Sequence, residues 1–371
     1  MKKVIILYTA NLCQRVEDLF SLEYWVQSGY TIEYWNLSGI TFHESLTPIH
    51  VDGVTERFFT SKNSFNTAVK ENAIDTVFML WFGFSKNTAF IFYSLSRNGC
   101  ETAIISNGLL PSVVSPRRSF NFQHLFISIK ERLVCFLMKT ALFHPATYSF
   151  STASSSSPRY KTSKQTVFAK CNSGDYEALV KNNVTYEVGG QYFLFLDQYV
   201  PYHNDNRLSG LPKIDDKKYY KSLNSFFSEL EKKYGIPVII AAHPSASTYN
   251  ISNPFEGRDF YFNKTMALAP GSAAILTHFT TAISAAVVYN KPIILLTSDE
   301  IISLRPLHNT YIEQFSFELG APVVNMDHTR EESFEIKSID EKKYKDYNYK
   351  YLTNPETENT NNFENISKVI N

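Results

Sequence analysis

The run Val238-Ile-Ile-Ala-Ala242-His243-Pro244 decides how this chain reads, together with Ile275-Leu-Thr-His278-Phe-Thr280-Thr281-Ala-Ile-Ser284 and Lys291-Pro292-Ile-Ile-Leu-Leu-Thr297-Ser298 that follow it. Apolar runs of about five residues that stop at a polar group mark parallel strands covered on both faces, which deliver that group to the carboxyl edge of a sheet. Open α/β sheets bind ligands at that edge, so His243 is expected where a ligand sits. Thr280, Thr281 and Ser284 open a helix of small residues. Hydroxyls beside the N–H groups of a helix start suit a phosphate. Each feature alone has an ordinary explanation: a His-Pro ends a strand before a turn, and Ser or Thr at a helix start is an N-cap. Their order along the chain gives them weight.

Upstream, Tyr192-Phe-Leu-Phe-Leu196 reads as another buried strand, ending in Asp197-Gln198-Tyr-Val-Pro201-Tyr-His203. A carboxylate, an amide and an imidazole within seven residues of a strand end suit acid/base chemistry or the holding of a sugar's hydroxyls. A solvated polar loop has the same composition. An amphipathic helix over Tyr219–Tyr234 links this loop to the His-Pro strand.

The amino-terminal half repeats the pattern. Val4-Ile-Ile-Leu-Tyr8 is too short for a signal-peptide core and reads as a first strand. A helical pattern from Val16 to Val26 and a strand over Thr31–Leu37 complete a β-α-β opening without a GxGxxG fingerprint. Strands at Thr76–Trp81 and Glu101–Ser106 flank a helix near Asn87–Arg97, and the second ends in Asn107-Gly108. Asn11, Asn107 and Gly108 are thereby candidates for an acceptor-side edge, a tight turn being the plain explanation of Asn-Gly. A strand near Thr166–Lys170 leads to Asp175.

Phe120 to Phe143 is rich in Phe, Leu and Ile, but Lys130, Glu131, Arg132 and Lys139 interrupt it, which excludes an ordinary membrane span; with Arg117 and Arg118, residues 117–143 carry a local positive balance. A core helix of the first domain is favoured over an amphipathic surface meeting a membrane or a lipid-linked acceptor. Lys plus Arg and Asp plus Glu stand at 36 each, so no overall field favours nucleic acid. The four cysteines form no CxxC or Cys/His cluster, which argues against structural zinc and for a reducing cytosol. At 371 residues the chain has room for two domains, placed at 1–186 and 187–340, with a polar tail at 341–371 that either crosses back to the first domain or stays without fixed structure.

From Tyr192 to Ser298 the order of motifs resembles the nucleotide-binding half of GT-B glycosyltransferases, most of all bacterial sialyltransferases and other nonulosonic-acid or Kdo transferases. The resemblance implies an α/β fold of two Rossmann-like doubly wound domains facing a central cleft. It implies that His243-Pro244 and Thr280, Thr281 and Ser284 hold the nucleotide and phosphate of a CMP-activated sugar, with Gln198 and His203 beside them. A metal-independent enzyme of surface-glycan synthesis follows as the expectation. It would be cytoplasmic or peripheral on the inner membrane face, with no cofactor besides its nucleotide-sugar donor and an oligosaccharide or lipid-linked acceptor. Asp197 and Asp175 are the candidate bases, with His243 the donor to the leaving phosphate. The chain lacks the Asp/Glu-Asp-Gly tripeptide with which sialyltransferases supply that base. A UDP- or GDP-sugar transferase, a CMP-releasing glycerophosphate-type polymer transferase and a non-catalytic GT-B-like partner subunit stay open as alternatives.

Overall fold

The computed structural model describes residues 3–41, 48–106, 111, 136–154, 160–181, 188–203, 211–328 and 335–370. They form two α/β units, each built on one parallel sheet.

The first unit draws on Met1–Gly108, Ser119–Glu177 and Tyr349–Asn371. Its strands are β1 (Lys3–Tyr8), β2 (Ile32–Asn36), β3 (Val54–Phe58), β4 (Thr76–Leu80), β5 (Glu101–Ser106), β6 (Tyr148–Ser151) and β7 (Val167–Lys170), in the order β3-β2-β1-β4-β5-β6-β7. All neighbours are parallel. The central strands β1 and β4 are buried almost throughout, as a sheet with both faces covered requires. One core layer gathers around Trp25, Phe20 and Tyr34, the other around Trp35, Phe78 and Phe92.

The second unit, Ala178–Asn348, holds β8 (Tyr192–Leu196), β9 (Val238–Ala242), β10 (Phe260–Phe262), β11 (Ser272–Thr277), β12 (Ile293–Thr297) and β13 (Val323–Asn325). Their order is β10-β9-β8-β11-β12-β13, again all parallel. The chain runs outward from β8 to one edge, then returns to β8's other side. The strand order therefore reverses between β8 and β11, the place where doubly wound sheets bind ligands. The longest helix, Asp216–Tyr234, joins β8 to β9; Asp215 caps its start by accepting from Lys218 N, and Gly235 ends it at φ 69°. Tyr219, Tyr220, Leu223, Phe226, Phe227 and Leu230 form its buried stripe, at the spacing an amphipathic helix needs. Arg258 clamps the far end through a bidentate pair with Glu231.

The division between the units falls inside the Gly174–Lys181 helix, earlier than the boundary at 186/187 expected from composition. Tyr289 of the second unit donates to the Leu179 carbonyl, which gives the helix's end to that unit. The tail is ordered: Glu341–Tyr347 stays with the second unit, and Asn362–Ile370 packs in the first. A buried polar knot holds it there. Asn172 donates to Glu177 Oε1 and to the Thr357 and Thr360 carbonyls, and its Oδ1 accepts from Thr353. Asn362 donates to the Leu19 and Asn172 carbonyls and accepts from Asn172 N.

Removing one member of such a knot leaves several buried donors and acceptors without partners, at about 1–3 kcal/mol each. Asn172→Ala is therefore expected to destabilise the chain by about 3 kcal/mol in denaturant unfolding, with hydrogen exchange rising in 349–370 before it rises in 211–328. An unchanged midpoint would mean that the knot contributes nothing.

Candidate functional site

Three loops leave the carboxyl edge of the second sheet at β8, β9 and β11, and one carboxylate joins two of them. Asp197, the residue after β8, is 7% exposed. Its Oδ1 accepts from Tyr199 N at 2.9 Å; its Oδ2 accepts from His243 N at 3.2 Å and from the Tyr249 hydroxyl at 3.0 Å. Burial raises its pKa, and these hydrogen bonds, with one from Gln198 N, pull against that rise. Gln198 makes the third link: its Oε1 accepts from Phe279 N at 2.8 Å, tying the β8 loop to the β11 loop. Tyr199 takes a left-handed backbone at φ 52°, the bend that folds the loop over the β9 end.

His243 is fixed on several sides. Asp197 holds its backbone N–H, and its Nδ1 accepts from Ser245 N at 3.2 Å. In the neutral ring this hydrogen bond places the proton on Nε2. The ring lies nearly parallel to Tyr199 (13°, centroids 6.4 Å) and meets His203 edge-on at 5.1 Å. His243 and His203 thus meet, Gln198 turns to the β11 loop, and Pro244 is exposed just beyond His243.

Asp197 has a different part from the base expected of it. A carboxylate sealed from water, whose oxygens already accept from four groups of its own loops, is placed in this structure to brace His243. Asp175 lies in the other unit, half-buried in the first turn of the Gly174–Lys181 helix. Asn11 stands half-buried just past β1; Asn107 and Gly108 fall outside the described residues. Of residues 117–143 only the end is described, where Phe136, Leu137 and Leu142 are exposed. No described helix is long and apolar enough to cross a membrane.

After β11 the three hydroxyls separate. Thr280 is extended and caps the Thr281–Ile283 turn by accepting from Ala282 N at 3.2 Å, which leaves its own O–H proton to donate. Thr281 is exposed. Ser284, expected at the mouth of the helix, is fully buried, because the chain first makes a single 3-10 turn and the helix proper starts only at Ser284. Its side chain therefore lies in the core of this structure.

His278 supports this floor. Its Nδ1 donates to the Leu296 carbonyl at 2.8 Å, and its Nε2 accepts from the Tyr219 hydroxyl at 2.7 Å, which requires the neutral ring. Burial lowers its pKa to about 4.

Sequence reading passed over Tyr199, Tyr249 and Tyr219, whose roles depend on side chains meeting across loops. It also passed over the aromatic stack of Phe279 on Tyr311 (13°, 5.6 Å) and His308 (4.6 Å).

With this geometry in view, comparison with solved structures gives matches along most of each chain. UDP-GlcNAc 2-epimerase from Methanocaldococcus jannaschii is similar at 13% identity and a TM-score of 0.50, over 100% of this chain and 99% of that one. The wall teichoic acid polymerase TagF is similar at 10% identity and 0.52, over 99% and 88%. A single-substitution variant of TagF gives 11% and 0.54, over 100% and 88%. The chain has the GT-B fold. At these identities the likeness is one of fold alone. No protein-family model matches the sequence, and no curated protein matches it.

A buried histidine stabilises a fold only while neutral when its folded pKa lies below its unfolded one. His278's contribution is complete above about 6.5 and is lost as pH falls toward about 4. The loss should be on the order of 3 kcal/mol. His278→Asn should flatten the wild-type decline in unfolding midpoint between those pH values; parallel declines would mean that His278 does not titrate with unfolding.

Proposed function

We propose that this chain is a glycosyltransferase that binds a nucleotide-activated sugar at the carboxyl edge of its second sheet, and that the donor is a CMP-linked nonulosonic acid. The observation that carries the reading is the bracing of His243. A strand-end histidine beside the strand-order reversal is held by Asp197, Ser245, Tyr199 and His203 so that Nε2 bears its proton. A rigid neutral donor of that kind suits a phosphate oxygen that gains charge as the sugar departs. The Thr280 hydroxyl and the turn it caps supply further donors two strands away, on the other side of β8.

In this reading, preorganised hydrogen bonds stabilise the leaving group, so binding needs no divalent ion. Gln198, His203 and Pro244 line the donor, and the Phe279 region offers an aromatic surface for a base. The first unit, with Asn11, takes the acceptor, a glycan of a bacterial surface polymer. Asp175 is left as the candidate base, since the oxygens of Asp197 are occupied by its own loop partners.

Thermal-shift and calorimetric comparison of CMP, UMP, UDP and GDP, with and without magnesium, tests the donor class. A ligand at about 100 times its Kd adds about 2.7 kcal/mol of stability. CMP should do this selectively and without metal, and His243→Ala should weaken it by about tenfold or more in a folded protein. Preference for UDP or GDP would move the donor class, and full-strength CMP binding by folded His243→Ala would remove the assignment. Asp197→Asn should lower both the unfolding midpoint and CMP affinity, because an amide N–H2 would face the N–H groups that Asp197 now accepts.

A further inference from the structure

Arg305 is 2% exposed and among the largest fully buried side chains of the described residues, yet few groups among those residues bond it. Its Nε is without a hydrogen-bond partner among the described residues, and its Nη1 reaches only the neighbouring Leu304 carbonyl, at 3.4 Å. That distance lies beyond the usual range for N–H donors. Burial lowers its pKa, with no charged partner offsetting the shift. A guanidinium does not shed its proton in a protein, so this is a largely buried cation with no anionic partner among the described residues. Arg258 shows the contrast within the same unit: it pairs twice with Glu231 and donates also to Asn224, Ser228 and the Phe255 carbonyl.

The position of Arg305 gives this unpaired charge a use. It is the N-cap residue of the 14-residue helix Pro306–Leu319 and also the C-cap of the short helix Asp299–Leu304, so the positive end of the longer helix and the carbonyl end of the shorter one meet at it. The first turn of that helix is fastened to the loops of the candidate site. Asn309 Oδ1 accepts from Thr297 at the end of β12, and the His308 ring sits 4.6 Å from that of Phe279, whose N–H is held by Gln198. We propose that Arg305 is the charged anchor for a phosphoryl group of the nucleotide ligand, completing its own pairing only when that group is bound. This rests on the nucleotide reading above and names the residue that selects phosphorylated over unphosphorylated ligands.

The test uses the full chain as wild type, Arg305→Met and Arg305→Lys, with calorimetry against CMP, cytidine and inorganic pyrophosphate and unfolding midpoints without ligand. Wild type should prefer CMP to cytidine. Arg305→Met should lose about ten- to hundredfold in CMP affinity, falling to the level of cytidine, while Arg305→Lys keeps part of the preference. Because a buried unpaired charge gives way to an apolar side chain of similar length, the ligand-free midpoint of Arg305→Met should equal or exceed that of wild type.

Unchanged CMP affinity in Arg305→Met overturns the proposal and leaves the nucleotide reading standing. A lowered ligand-free midpoint with the CMP-to-cytidine ratio intact also overturns it, and makes Arg305 a structural ion-pair partner. If wild type ignores every nucleotide yet binds pyrophosphate through Arg305, the anion anchor stands and the nucleotide reading falls. Silence toward nucleotides and pyrophosphate alike sinks both.

Discussion

The carboxylate of Asp197 is the constraint on which the second unit's ligand edge depends. Sealed from water, it can stay charged only if its oxygens are filled by donors, and the donors that reach it come from two different loops. Satisfying one buried charge therefore sets the bend at Tyr199, the backbone of His243 and the position of Tyr249 together. Gln198 then carries the same loop across to Phe279. Hydrogen bonds to a carboxylate are directional, so they fix this arrangement more firmly than apolar contact alone does. The result is a histidine whose backbone and ring are held by its own loops, an arrangement that suits the donor role proposed for it.

The framework under that edge follows from burial. Strands β1, β4, β8, β9 and β12 are almost wholly apolar and covered on both faces, and for that reason they could be read from the chain as short runs ending in polar residues. Strands β3, β10 and β13 could not. Val54-Thr-Glu-Arg-Phe58 has no fully buried position, and β10 and β13 are three residues each, so none leaves a pattern distinct from a loop. β6, flanked by hydroxyl-rich sequence, merges into what composition reads as loop. The tail was legible as two possibilities only, since its docking depends on Asn172 and Asn362, whose meeting 190 positions apart leaves no periodic trace.

At the site, residues at strand ends were visible as interruptions of apolar runs: His243, Asp197 and Gln198 could all be singled out. What they do was less visible. Asp197 reads as a base in a list of residue types and as a brace once its four donors are placed. Ser284 reads as a ligand contact if the helix starts at Thr280, and one 3-10 turn moves it into the core. Arg305 stands out only through what it lacks among the described residues, and a missing partner has no signature in sequence. The fold match is of the same kind: at 10–13% identity over nearly the whole chain, the two-sheet framework is shared and the residues are not. Donor chemistry must therefore be argued from these particular side chains.

Hydrogen exchange with and without CMP tests the central claim most directly, since it reports where a ligand acts along the chain. The account predicts slowed exchange at residues 197–203, 243–249 and 279–283, the three loops that meet at the strand-order reversal of the second sheet. Protection confined to the loops of the first sheet, with these three unchanged under saturating CMP, would contradict it.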